Sequence, residues 1–150
     1  MTDRELMQAA IALAREAAAD GEVPVGAVVA KDGEIVSVGR NRREKDKNAL
    51  AHAEIEAIDK ACRALGGWRL WQCELFVTLE PCPMCAGAII NSRIKRVVFG
   101  AYDPKAGSCG SINNLFDFPY NHSPEIEGGF MQDECALLLT RFFSDLRKTK

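Results

Sequence analysis

Short apolar runs alternate with helical stretches along this chain, and that alternation admits few folds. Residues 3–19 read as an amphipathic helix: Thr2 and Glu5 fit a capping box, and Leu6, Ala10, Leu13 and Ala17 recur at helical spacing. Residues 26–30 read as an apolar strand, Asp32-Gly33 as a hairpin turn and residues 34–39 as the returning strand. A polar loop over 40–50 precedes a helix over 51–65, with Ile55, Ile58, Cys62 and Leu65 as its stripe and Gly66-Gly67 as its stop. A buried strand follows over 75–79, then a helix from the 80–83 turn to about residue 92, then a strand over 96–100. Residues 101–124 read as irregular, 125–127 as a short strand, and 132–147 as a last helix with Ala136, Leu139 and Phe143 on one face. Strand–helix–strand order implies parallel crossovers and helices on both faces of a sheet. The expected fold is α/β: a three-layer α-β-α sandwich around a mixed five-stranded sheet.

Length and charge narrow the class. With 150 residues, 47% hydrophobic and 27% charged, the expectation is one globular domain over residues 1–150. No apolar run reaches the roughly 18 residues of a membrane span. Met1 to Glu5 is polar and acidic, unlike a signal or transit peptide, so a cytoplasmic location is expected. The net charge of −2 does not by itself point to nucleic acid.

The six cysteines carry the first chemical signal. In a reducing compartment they read as metal-binding, catalytic or buried rather than paired. Cys62 and Cys135 fall on helices and read as core, and Cys73 and Cys109 as incidental. Cys82-Pro83-Met84-Cys85 opens a helix, where the dipole and free N–H groups favour thiolates. His52 opens the preceding helix. His52, Cys82 and Cys85 make three zinc ligands, and three protein ligands with one open position is the catalytic pattern. Glu54, two residues after His52, can reach the same space and move protons to and from an activated water. Together these residues spell H-x-E…P-C-x-x-C, the zinc-deaminase signature, which implies hydrolytic loss of ammonia from an amidine carbon.

The chain resembles the bacterial tRNA-specific adenosine deaminases from about Gly21 to Leu146. The resemblance rests on the runs Glu22–Val28, Ala51–Ile55 and Leu75–Ala88, and further on Ser92-Arg93-Ile94, residues 96–101, Asn121-His122, Asp133-Glu134-Cys135 and Phe142-Phe143. It implies a cytidine deaminase-like fold, a homodimer with one zinc ion per subunit, and conversion of adenosine to inosine at the wobble position of a tRNA anticodon. It implies zinc ligation by His52, Cys82 and Cys85 and proton shuttling by Glu54. It makes Asn41 a contact of the flipped base, Val25 and Pro81 pocket walls, and Asp103 a contact of the nucleotide 5′ to the target. Asn121 and His122 become a loop pair near the anticodon, and Phe142 an aromatic beside the bound loop. Departures at Arg40, Ala49-Leu50 and around Tyr120 touch the rim.

Plainer readings stand beside these. Asn41 and Asp103 could serve only as turn residues. One reading makes Arg42 and Arg43 a phosphate-binding rim, since residues 40–48 hold five basic residues against Glu44 and Asp46. Arg141, Arg147, Lys148 and Lys150 add a basic C-terminus, and both runs also fit a solvated face. The nearest alternative function is deamination of a free nucleoside or base, cytidine or guanine, on the same fold. A farther one is a non-catalytic zinc-stabilised RNA-binding module, against which Glu54 argues.

Overall fold

The computed structural model describes residues 1–148; Lys150 lies outside them. Helix α1 spans Asp3–Ala19, and its capping box is present: Thr2 Oγ1 accepts the Glu5 N–H at 3.1 Å, and Glu5 Oε1 accepts the Thr2 N–H at 3.0 Å. The other elements are β1 Gly26–Lys31, β2 Glu34–Arg40, α2 Ala53–Leu65, β3 Cys73–Leu79, α3 Pro83–Ser92, β4 Arg96–Ala101, β5 Glu125–Gly128 and α4 Gln132–Lys148. A single 3₁₀ turn at Leu115–Asp117 interrupts the stretch expected to be irregular, with the Asn114 side chain capping it. No helix among the described residues is long and apolar enough to cross a membrane.

The five strands form one mixed sheet in the order β2-β1-β3-β4-β5. β1 runs antiparallel to both β2 and β3, whereas β3, β4 and β5 are parallel. Alternation along β1 divides the core. Ala27 and Val29 face α2 and α3 with Leu75, Val77, Val97 and Phe99, while Val28 and Ala30 face α1 and α4 with Phe76 and Val98. These are the three layers expected of the fold.

Two helices approach the sheet closely because glycine lets them. A Cβ on Gly39 would strike the Ala53 carbonyl, and one on Gly26 the Ala10 carbonyl. The same closeness corrects the stripe expected on α2. Its buried residues are Ala53, Glu54, Ala57, Ile58 and Ala61, while Ile55 and Cys62 are half-buried and Leu65 is exposed. Alanines fit the narrow gap over β2; Ile58 is buried as expected, and Leu65 turns outward. On α4 only Cys135 is buried; Ala136 and Leu139 pack partly against the core, and Phe143 is exposed. Cys73 and Cys109, expected to be incidental, are core residues.

Candidate active site

β2 and β3 point the same way with β1 between them, so α2 and α3 both begin at the same end of the strands. The two strands that feed these helices are therefore not neighbours, contrary to the simplest reading of the crossover pattern. His52 is the N-cap of α2 and Cys82 the N-cap of α3, with Pro83 supplying the fixed φ of the first helical position. The His52 side chain makes no capping bond to α2, and the Cys82 thiol turns to Cys85 on the first turn of α3.

The two cap side chains meet. His52 Nδ1 stands 3.7 Å from Cys82 Sγ and 3.6 Å from Cys85 Sγ, and the three ligand atoms lie within 4.8 Å of one another. Metal–ligand distances of about 2.3 Å to sulfur and 2.0–2.1 Å to nitrogen place the S···N edge of a tetrahedral zinc site at about 3.5 Å. Both S···N distances match that edge, and two thiols with an imidazole form a donor set suited to zinc.

Electrostatics divides the two cysteines. Hydrogen bonds with Cys85 and His52 lower the Cys82 thiol to about 4. Its thiolate, burial and the nearby Glu54 push the Cys85 thiol strongly upward. The helix-terminus argument favours thiolates here; the two thiols also act on each other, which lowers Cys82 and raises Cys85. The hydrogen bond with Cys82 raises His52. Glu54 lies in the first turn of α2 and is only 4% exposed. Burial pushes its carboxyl up to about 7, the range in which a group can both take and give a proton at neutral pH.

The site opens into a cavity of about 200 Å³. That is below the roughly 300–1,000 Å³ of pockets for drug-sized ligands, so it admits one small ring system and leaves a larger substrate outside. His52, Glu54 and Cys82 line it with Val25, Asn41 and Asp103, joined by Val23, Arg43, Ala53, Leu79, Glu80 and Ala106. Asn41 is oriented by its neighbours: its Nδ2 donates to the Val23 carbonyl at 3.1 Å, and its Oδ1 accepts the Arg43 N–H at 3.1 Å. Asp103 does build a turn, with Oδ1 accepting the N–H groups of Lys105 and Ala106, while also lining the cavity.

Other expected site residues are not among those that line the cavity. Pro81 is buried between Glu80 and Cys82, and its carbonyl accepts the Ser108 N–H at 2.9 Å. Asn121 is exposed, and His122 donates from Nε2 to the Ile94 carbonyl at 2.6 Å, beside the start of β4 and hence at the opposite end of the strands. Phe142 is half-buried on α4, edge-on to Phe143 at 5.3 Å and beside Arg15 and Ala18 of α1. Arg42 is tied to Glu56, Nε to Oε2 at 2.7 Å, so of the suggested basic pair only Arg43 lines the cavity.

Sequence reading missed two acidic residues. Glu22 and Glu80 are each 2% exposed. Glu80 accepts the backbone N–H groups of Asp103, Cys109 and Ser111 and the Ser111 hydroxyl. Burial alone would raise its carboxyl, but the Ser111 hydroxyl and these amides outweigh it and hold the group below its ordinary value. The only sequence signal was an acidic residue set among apolar neighbours and proline.

Residues 1–146 match the MafB19-like deaminase family. The chain belongs to that family. This deaminase is 50% identical to the tRNA-specific adenosine deaminase of Bacillus subtilis, over all of this chain and 94% of that protein. It also superposes, with a TM-score of 0.88 and 42% identity, on a solved structure from work on A-to-I editing by tRNA:A34 deaminases at the wobble position of transfer RNA. That match covers 91% of this chain and 99% of the other. A solved guanine deaminase from Bacillus subtilis matches at 34% identity and a TM-score of 0.67, covering 94% of each chain.

Proposed function

We propose that this deaminase converts adenosine to inosine at the wobble position of tRNA anticodons, as a zinc enzyme with one ion per subunit. The observation that carries the reading is the small cavity in which buried Glu54 meets His52 and Cys82, in a chain so similar to tRNA-specific adenosine deaminases. A cavity that admits one base requires the target nucleotide to leave its stack, and an anticodon loop offers unpaired bases at little cost.

His52, Cys82 and Cys85 would hold zinc, which would acidify a bound water. Glu54 takes a proton as water adds to C6 of the adenine, and returns it as the C6–N6 bond breaks and ammonia leaves. Asn41 holds the base edge with the one N–H and one lone pair that its bonds to Val23 and Arg43 leave over. Val25 packs against the ring, Pro81 shapes the wall behind Cys82, and Asp103 meets the nucleotide 5′ to the target. Asn121, His122 and Phe142, which lie away from the cavity, contact more distant parts of the RNA. The enzyme works as a single-domain subunit of a cytoplasmic homodimer, for which exposed Leu65, Trp68 and Trp71 offer apolar area.

A free-base deaminase is the second reading, favoured by the 34% identical guanine deaminase. One assay separates the two: the zinc-loaded protein with an anticodon stem-loop carrying adenosine at the wobble position, and in parallel with guanine, cytidine and adenosine. Inosine at that one position supports the tRNA reading. Consumption of guanine with an untouched stem-loop replaces it.

A further inference from the structure

Glu22 lies outside the cavity, yet it is among the most buried charged side chains of the protein. Its oxygens are divided between two amides: Oε1 accepts the Glu44 N–H at 3.0 Å and Oε2 the Lys45 N–H at 2.7 Å. Those amides open a tight turn in which the Asp46 N–H donates to the Arg42 carbonyl and the Asn48 N–H to the Arg43 carbonyl. The first amides of such a turn have no partner within it, as at a helix N-terminus. Glu22 supplies that partner from more than 20 residues away in the chain. The same segment makes two further ties, since the Val23 carbonyl accepts Asn41 Nδ2 and Asp20 pairs with Arg40 at 3.0 Å.

What the turn carries is informative. Arg42 is neutralised by Glu56, whereas Arg43 is exposed, lines the cavity, and has no ion pair among the described residues. An unpaired guanidinium at the mouth of a cavity that admits only one base faces whatever is joined to that base.

We propose that Glu22 is a positioning residue: it fixes the 42–48 turn so that Arg43 meets a phosphate of the polynucleotide whose base enters the cavity. The inference rests on the RNA reading above, and it assigns Glu22 a part in substrate affinity with none in the chemical step. A loosened turn leaves Arg43 mobile and weakens its phosphate contact, while Glu54 and the metal cluster stay in place.

The test uses the zinc-loaded full chain and the anticodon stem-loop, at several salt concentrations, with Glu22→Ala, Glu22→Gln, Arg43→Ala and the Glu22→Ala/Arg43→Ala double variant. Glu22→Ala should raise KM about tenfold and leave kcat within about twofold; Glu22→Gln should do the same to a smaller extent. Each phosphate contact on a single strand contributes about 0.7 to the slope of log affinity against log salt, and Glu22→Ala should lose about as much slope as Arg43→Ala. In the Arg43→Ala background, Glu22→Ala should change KM by less than about twofold. Equal effects of Glu22→Ala in both backgrounds, an unchanged salt slope, or a fall confined to kcat would overturn the proposal. If Glu22→Ala does not fold, Glu22→Gln carries the same comparisons. Hydrogen exchange at the Glu44 and Lys45 amides is the independent readout, expected to quicken in Glu22→Gln. A wild-type protein that leaves the stem-loop untouched overturns the phosphate role together with the RNA reading. Amides that stay slow in Glu22→Gln overturn the clamp alone.

Discussion

Two buried carboxylates flank the metal-ligand cluster, and they have opposite fates. Glu54 in the first turn of α2 and Glu80 after β3 are nearly inaccessible to water. Burial pushes both toward the neutral acid. Around Glu80, three backbone amides and a hydroxyl reverse the push, so the group is a fixed anion that ties residues 103–111 to the sheet. Around Glu54 burial prevails, and the group stays able to exchange a proton. Donor supply around Glu80, together with the heavier desolvation of Glu54, separates the structural carboxylate from the chemical one.

The comparison can be broken most severely at the metal. Cys85→Ala leaves Glu54 with no activated water to serve, and the expected result is loss of both bound zinc and activity, read by metal analysis and by inosine formation. Glu80→Gln should act on the fold instead. Replacing one acceptor oxygen with a donor strands buried amides, at about 1–3 kcal/mol, visible as a lower urea midpoint and faster exchange at Cys109 and Ser111. An unchanged midpoint would remove the contrast between the two carboxylates.

The smallest expected effect lies far from both. Arg96 is shared by Asp3, Glu74 and Glu127, with Asp3 at 2.7 Å. The hydrogen bond with Arg96 holds the Asp3 carboxyl below its ordinary value of 3.8. A lowered carboxylate stabilises the fold above its unfolded pKa, and that contribution fades as pH falls through the folded one. Asp3→Asn should therefore cost less than about 1 kcal/mol near pH 7, because the pair is partly exposed, and the gap from wild type should close as pH falls below 3.8. Urea titrations of the two proteins at both pH values check the sign.

The metal-ligand cluster was legible in the sequence because its spacing is local. A strand, a proline-marked turn and C-x-x-C fix Cys82 and Cys85 on one helix start, and His52 marks the other. Layering was legible from the order of strands and helices, which places helices on both faces of the sheet. Strand order was less so: periodicity does not say that β1 inserts between β2 and β3. The buried face of α2 was misread because three alanines form it, and small residues carry little hydrophobic signal. Glu22 and Glu80 were invisible, since their partners are backbone amides more than 20 residues away. His122 shows the converse: a recognisable residue need not line the cavity, and here it bonds the Ile94 carbonyl at the far end of the strands.

The most direct test of the account is single-turnover deamination of the wobble-adenosine stem-loop by zinc-loaded Glu54→Gln, with metal content and RNA affinity measured on the same sample. The account predicts bound zinc, stem-loop affinity within about twofold of wild type, and a rate reduced roughly 10²- to 10⁴-fold, the span expected for loss of a general acid–base group. A Glu54→Gln protein that forms inosine at the wild-type rate would contradict it.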